Sequence, residues 1–306
     1  MAVVLQESLR GLFYAPYYSA LSLGAYQAEG LEVRFVAAPR PGVAQDALFD
    51  GTVDVAWGGP MRVNQVYAQR PDCDLVCFGE AVTRDPFMLI GREPRPNFTM
   101  ADLKGVRLAT VAEVPTPWLC LQHDIREAGI DPASLNRVTD RSMADNMAAL
   151  RAGTVDVIQI FQPFAEDLIT SGDGHLLYAA ANRGPCSYTT FYARRPVLEA
   201  KRAELGLLLR GLYRTQKWLH NAAPATIVEA VRPYFADADA GLLEKALARY
   251  QALGIWNQQP ILPRDGYNRL KESLVSGNFA KGTPYETAVD NSLAEQAVRA
   301  DPSAIK

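Results

Sequence analysis

Four short segments of this 306-residue chain carry residues able to hold a small molecule. Residues 8–14 lead into Ala15-Pro16, and Ala56-Trp57-Gly58-Gly59 leads into Pro60. Further on, Glu113-Val114-Pro115-Thr116 leads into Pro117-Trp118, and Gln159-Ile160-Phe161-Gln162 leads into Pro163-Phe164. Each segment follows a strand-like run and places a proline where a helix should begin, a position at which its missing N–H costs nothing. Helix N-termini present unpaired backbone N–H groups and so attract anions or polarised oxygens. Thr116 reads as an N-cap. Gly58 and Gly59 read as bare backbone that lets a ligand approach main-chain amides. Proline at a helix start is also ordinary punctuation; four in matching places carry the argument. The rings of Tyr14, Trp57, Trp118, Phe161 and Phe164 gather at the same segments, and Tyr188 lies further along. Such rings stack on planar ligands and fill cores equally well. Tyr14 and Trp57, each between a strand and a helix start, are the preferred ligand contacts. Arg84 suits a carboxylate or sulfonate; a solvated loop arginine is its plain alternative.

Other chemistries find less support. Cys73-x-x-x-Cys77 has no second pair to complete a zinc site, and Cys120 and Cys186 read as small buried apolar residues. His123, His175 and His220 stand far from any nucleophile pattern, so a metallo-hydrolase or a catalytic triad is not expected. No metal or cofactor is expected. Charged residues, 31 basic against 34 acidic, are dispersed, which argues against a nucleic-acid partner. No apolar run approaches the roughly 20 residues of a membrane span.

The elements that would position these segments come from an internal repeat. Gly51-Thr52-Val53-Asp54-Val55 returns as Gly153-Thr154-Val155-Asp156-Val157, preceded by Ala47-Leu48 and Ala149-Leu150. Upstream, Gly30 and Gly129 each end a helix-like segment, at 16–28 and 117–128, as C-cap glycines do. Each copy reads strand, helix, strand, helix, strand, the pattern of parallel βαβ units. Both copies end alike, with extended runs 75–78 and 87–91, then 176–179 and 189–194. We expect two α/β lobes with parallel-core sheets, residues 1–82 plus 192–306 and residues 86–186, joined by hinge links at 80–86 and 182–192. Beyond Pro196 only helical spacing remains, as at Leu205, Leu208, Leu209 and Leu212. That helical segment should pack on the first lobe, to which the chain has just returned.

These motifs resemble a known family. Segment 9–33, LRGLFYAPYYSALSLGAYQAEGLEV, segment 50–60, DGTVDVAWGGP, and segment 150–157, LRAGTVDV, are similar to solute-binding proteins of the NMT1/THI5-like group. The likeness runs over about residues 3–195. Members capture substrates for ABC importers of nitrate, bicarbonate, alkanesulfonates, taurine or thiamine-pyrimidine precursors. The resemblance implies a type II periplasmic-binding-protein fold, two α/β lobes joined by two hinge strands with a ligand clamped between them. Carried onto this sequence, the ligand contacts fall at Tyr14, Trp57, Gly58, Gly59, Thr116, Phe161, Gln162 and Tyr188, with Arg84 added from the first link. The implied function is a non-catalytic solute-binding component for a pyrimidine-like heteroaromatic or a sulfonate or carboxylate anion. Its implied partners are an ABC permease and ATPase. The alternative is a cytoplasmic enzyme on the same fold, of the pyrimidine-precursor synthase or aromatic-acid decarboxylase type. Two departures bear on that choice. Residues 8–18 lack the cysteine that desulfinases of this fold use, and the Cys- and His-rich segment of yeast-type pyrimidine synthases is missing. The first residues show no signal sequence, so the expectation is periplasmic if one lies upstream or was removed, and cytoplasmic otherwise.

Overall fold

The computed structural model describes residues 2–40, 42–70 and 72–306. The chain begins β1 (Ala2–Gln6), α1 (Ala15–Ser22), β2 (Glu32–Val36), α2 (Ala44–Phe49), β3 (Val55–Gly58), α3 (Pro60–Gln69) and β4 (Leu75–Val82). It continues through β5 (Met88–Gly91), β6 (Arg107–Ala109), α4 (Thr116–Glu127), β7 (Asn136–Val138), α5 (Met143–Arg151), β8 (Val157–Ile160), α6 (Phe164–Ser171) and β9 (His175–Ala179). It then returns as β10 (Thr189–Arg194) and finishes in helices: α7 (Arg195–Ala200), α8 (Arg202–Leu219), α9 (Pro224–Val231), α10 (Ala240–Leu253), α11 (Arg264–Ser276), α12 (Tyr285–Ala288) and α13 (Ser292–Ala300).

Two five-stranded sheets form, in the orders β2-β1-β3-β10-β4 and β7-β6-β8-β5-β9. Within each, the first three strands are parallel. The fourth, β10 or β5, is antiparallel to both neighbours. This qualifies the expectation of parallel sheets, and the reason is geometric. β5 and β10 each enter their sheet directly from a crossing between the lobes, so they run away from the cleft while the others run toward it. The crossings lie side by side, the Cys186 amide donating to the Thr83 carbonyl at 2.7 Å and the Tyr188 amide to Val82 at 2.9 Å.

The repeated pentapeptide explains itself in hydrogen bonds. Asp54 accepts from the Val4 amide at 2.9 Å, and Asp156 accepts from the Arg107 amide at 2.8 Å. Each aspartate thereby ties the start of the third parallel strand to the first. Thr52 and Thr154 donate to the carbonyls of Ala47 and Ala149, closing the preceding helix. Gly51 and Gly153 supply the left-handed turn, with φ of 78° and 69°, which a side chain would strain. The flanking valines point into the core, Val55 and Val155 being fully buried.

The helical segment packs on the first lobe, α8 lying against α1, β1 and β4, and α13 packing on both α8 and β4. Segments 255–260 and 289–290 cover the open edge of β4 with backbone bonds, including Glu80 to Pro260 at 2.8 Å. Two of the helices also reach the second lobe, α10 touching α6 and α11 touching α4, which sequence periodicity does not reveal.

Removing either aspartate leaves a strand amide without its partner, a loss of about 1–3 kcal/mol. Asp54→Ala and Asp156→Ala should each lower the free energy of unfolding by that amount in urea titrations. Substitution of Asp46, exposed on α2, should leave it nearly unchanged.

Candidate functional site

The parallel strands of both sheets end at the cleft, and the loops leaving them enclose one cavity. The loop after β1 contributes Ser8, Leu9, Phe13 and Tyr14; the start of α3 contributes Gly59, Met61 and Arg62. From the other lobe come Val114 and Thr116 after β6 and Phe161 after β8. The crossings add Phe87 and Tyr188. A site at the carboxyl ends of parallel strands is the expected position in open α/β sheets. The free space is about 40 Å³, room for roughly three waters.

Aromatic edges close the cavity across the lobes. Phe13 meets Phe161 edge-to-face at 5.4 Å, Phe161 meets Phe87 at 5.2 Å, and Tyr188 lies 6.3 Å from Phe13. Burial pushes the phenols of Tyr14 and Tyr188 well above their ordinary range, so both stay neutral hydrogen-bonding groups. The Tyr188 hydroxyl is buried with no protein partner. Arg62 is the charged residue of the lining; its guanidinium donates to the Gln65 amide oxygen at 3.1 Å rather than to a carboxylate, and both residues also border the adjoining groove between α2 and α3.

Of the residues singled out from sequence, Tyr14, Gly59, Thr116, Phe161 and Tyr188 come together at this cavity. Thr116 is the first residue of α4 rather than its N-cap, a place taken by Pro115, and its side chain makes no capping bond. Four others lie elsewhere. Trp57 is fully buried, stacked between Tyr17 at 4.8 Å and Phe35 at 5.5 Å. It lies within β3 rather than after a strand, and its side chain packs against α1 and β2 instead of reaching the cleft. Gly58 serves close packing: a Cβ there would lie 2.4 Å from the Ser8 hydroxyl. Gln162 is fully buried, its amide bonded to Glu166 at 3.0 Å. Arg84 lines a separate open cleft of about 680 Å³, bounded by both crossings and the ends of α8 and α10. Arg62 was missed from sequence. Its signal is its position in the first turn of the helix that Pro60 opens, on the face turned to Tyr14.

Comparison with known proteins follows the same lines. A family model described as NMT1/THI5 like matches residues 13–218. The curated relative named "Putative binding protein YtlA" from Bacillus subtilis (strain 168) is 25% identical over 297 residues, covering 96% of this chain and 89% of its own. Among solved structures, the periplasmic aliphatic sulphonate binding protein SsuA from Escherichia coli is 17% identical with a TM-score of 0.77, over 95% of this chain and 92% of that one. The desulfurization enzyme DSZB is 13% identical with a TM-score of 0.70, over 98% and 99%. The fold is the type II periplasmic-binding-protein fold. No helix among the described residues is long and apolar enough to cross a membrane.

Two measurements follow from these placements. Trp57→Ala should cost about 3–5 kcal/mol of stability through the cavity it leaves, whereas Tyr14→Phe should leave the melting temperature nearly unchanged. The second concerns Glu80, fully buried where β4 meets the crossings and bonded to Asn257. Burial pushes its carboxyl up to about 8, against the pull of Ser187, Thr83 and Asn257. The bound proton therefore stabilises the fold fully below the ordinary value of 4.5, and that contribution is lost as pH rises through about 8. The urea midpoint should fall over this window, and Glu80→Gln should flatten the fall.

Proposed function

The chain belongs to the NMT1/THI5-like family, and from that premise we propose that it is the solute-binding component of an ABC importer, clamping a small organic anion between its lobes. The observation that carries this reading is Arg62, the charged residue in a lining of rings, aliphatic side chains and hydroxyls, whose guanidinium bonds an amide oxygen rather than a carboxylate. Guanidinium matches carboxylate and sulfonate oxygens with paired donors. Tyr188 and Thr116 add hydroxyl groups to the same lining, while Phe13, Phe87 and Phe161 suit an apolar or aromatic body. A neutral pyrimidine would use the same rings and leave Arg62 idle. A sulfonate or carboxylate uses both.

Binding without turnover fits the chemistry of the lining. Its side chains supply hydroxyls, rings and a cation, but not the Cys, His, Asp or Glu groups on which nucleophilic and acid–base catalysis ordinarily depend. The free space also falls far short of the roughly 300–1,000 Å³ of ordinary ligand sites. Uptake of an organic anion therefore requires the lobes to part. In this reading the moving bodies are residues 1–82 with 192–306 against residues 86–186, turning about links 80–86 and 182–192. An ABC permease with its ATPase would receive the loaded form.

A thermal-shift screen of small carboxylates and sulfonates tests the proposal. An anion present at a hundred times its Kd should stabilise the chain by about 2.7 kcal/mol. Arg62→Gln should weaken it by about 1.5–3 kcal/mol, the scale of a hydrogen bond to a charged group. Stabilisation by neutral pyrimidines but by no anion, or anion binding that Arg62→Gln leaves unchanged, would overturn this reading.

A further inference from the structure

Besides the rings inside the cavity, the lobes meet through helices that flank it. One of these contacts carries charge. Arg249 of α10 reaches Glu166 of α6 with two parallel bonds, Nε to Oε2 at 2.6 Å and a terminal nitrogen to Oε1 at 3.0 Å. The carboxylate side chain is only 6% exposed. Gln162, in the loop before α6, fixes the Glu166 rotamer, donating its side-chain amide to Oε2 at 3.0 Å and accepting from the Glu166 backbone amide at 2.8 Å. The next residue of α10, Tyr250, is fully buried; its hydroxyl accepts from the Gln162 backbone amide at 2.9 Å and donates to the Pro86 carbonyl at 3.3 Å.

These contacts have a direction. α10 is anchored to the first lobe through α9, which lies on α1, and through the buried Leu243, Ala246 and Leu247. Glu166 and Gln162 belong to the second lobe, and Pro86 to the first crossing. Gln162 follows Phe161, whose ring lines the cavity. Parting the lobes on this side would separate the guanidinium from the carboxylate and draw the Phe161 loop off Tyr250.

We propose that the Arg249–Glu166 pair, with Tyr250 on Gln162, is a latch that sets the balance between closed and parted lobes. Residues that never touch the solute then govern how tightly it is held. Apparent affinity scales with the fraction of molecules able to bind, so weakening the latch changes affinity without altering the cavity lining. This consequence rests on the clamp reading above; the latch itself does not. Arg249 and Glu166 are positioning residues.

The test is small-angle scattering on the full chain with no solute added, which makes it independent of the anion screen. A compact chain of this length has a radius of gyration of roughly 19 Å. Arg249→Met, which keeps the apolar stem, and Glu166→Gln, which keeps the shape, should both raise the radius above that of the parent. Both should retain its circular dichroism spectrum and a cooperative melt. Glu244→Gln, exposed on the same helix and away from the contact, should keep the parent radius. Single variants with the parent's radius would overturn the latch. So would an equal expansion in Glu244→Gln.

Discussion

A buried backbone amide or carbonyl without a partner costs about 1–3 kcal/mol, and each sheet of this protein would hold two rows of them if its fourth strand were missing. That strand always comes from a crossing. β10 fills the place between β3 and β4, and β5 fills the place between β8 and β9. Because both strands must reach the middle of a sheet from the cleft, the crossings are forced side by side at the cleft floor. Phe87 and Tyr188 reach the cavity for this reason. The same demand fixes the antiparallel direction of β5 and β10 and holds the carboxyl ends of the parallel strands of the two lobes face to face.

The pentapeptide repeat carried most of this architecture in readable form. Its glycine, threonine, aspartate and valines each have a local role, and local roles repeat when a unit repeats. Gly129 follows the end of α4 with a left-handed φ of 74°; Gly30, at 78°, closes only a short 3-10 turn at Gln27–Glu29, because α1 already ends at Ser22, short of the expected 16–28. The extended runs flanking the crossings were visible as apolar stretches. Their pairing partners were not, since antiparallel insertion depends on where the chain comes from rather than on its composition.

The candidate site was readable only in part, and the failures share a cause. Strand and helix boundaries locate a loop but do not say which way a side chain leaves it. Trp57 lies one residue before the end of β3, yet its ring finds its apolar contact between Tyr17 and Phe35. Gly58 accompanies it because Ser8 crosses closely there. Gln162 was assigned to the ligand, while its amide serves Glu166. Arg62 escaped notice because nothing in its neighbours distinguishes it from a solvated helix arginine until Tyr14 is brought opposite. α10 and α11, read as packing for one lobe, reach across to the other through faces whose apolar spacing looks like any core-facing stripe.

The strand order has a consequence for how the protein is made. The second sheet is built wholly from residues 88–179, so all its strands are available once that stretch has been synthesised. The first sheet must wait for β10, more than a hundred residues after β4. A nascent chain emerging from the ribosome therefore carries β3 and β4 with facing edges unpaired for the whole time that the second lobe is being translated. Exposed edges of this kind invite pairing with other chains. The lobe whose strands come earlier in the sequence is thus the last to close its sheet.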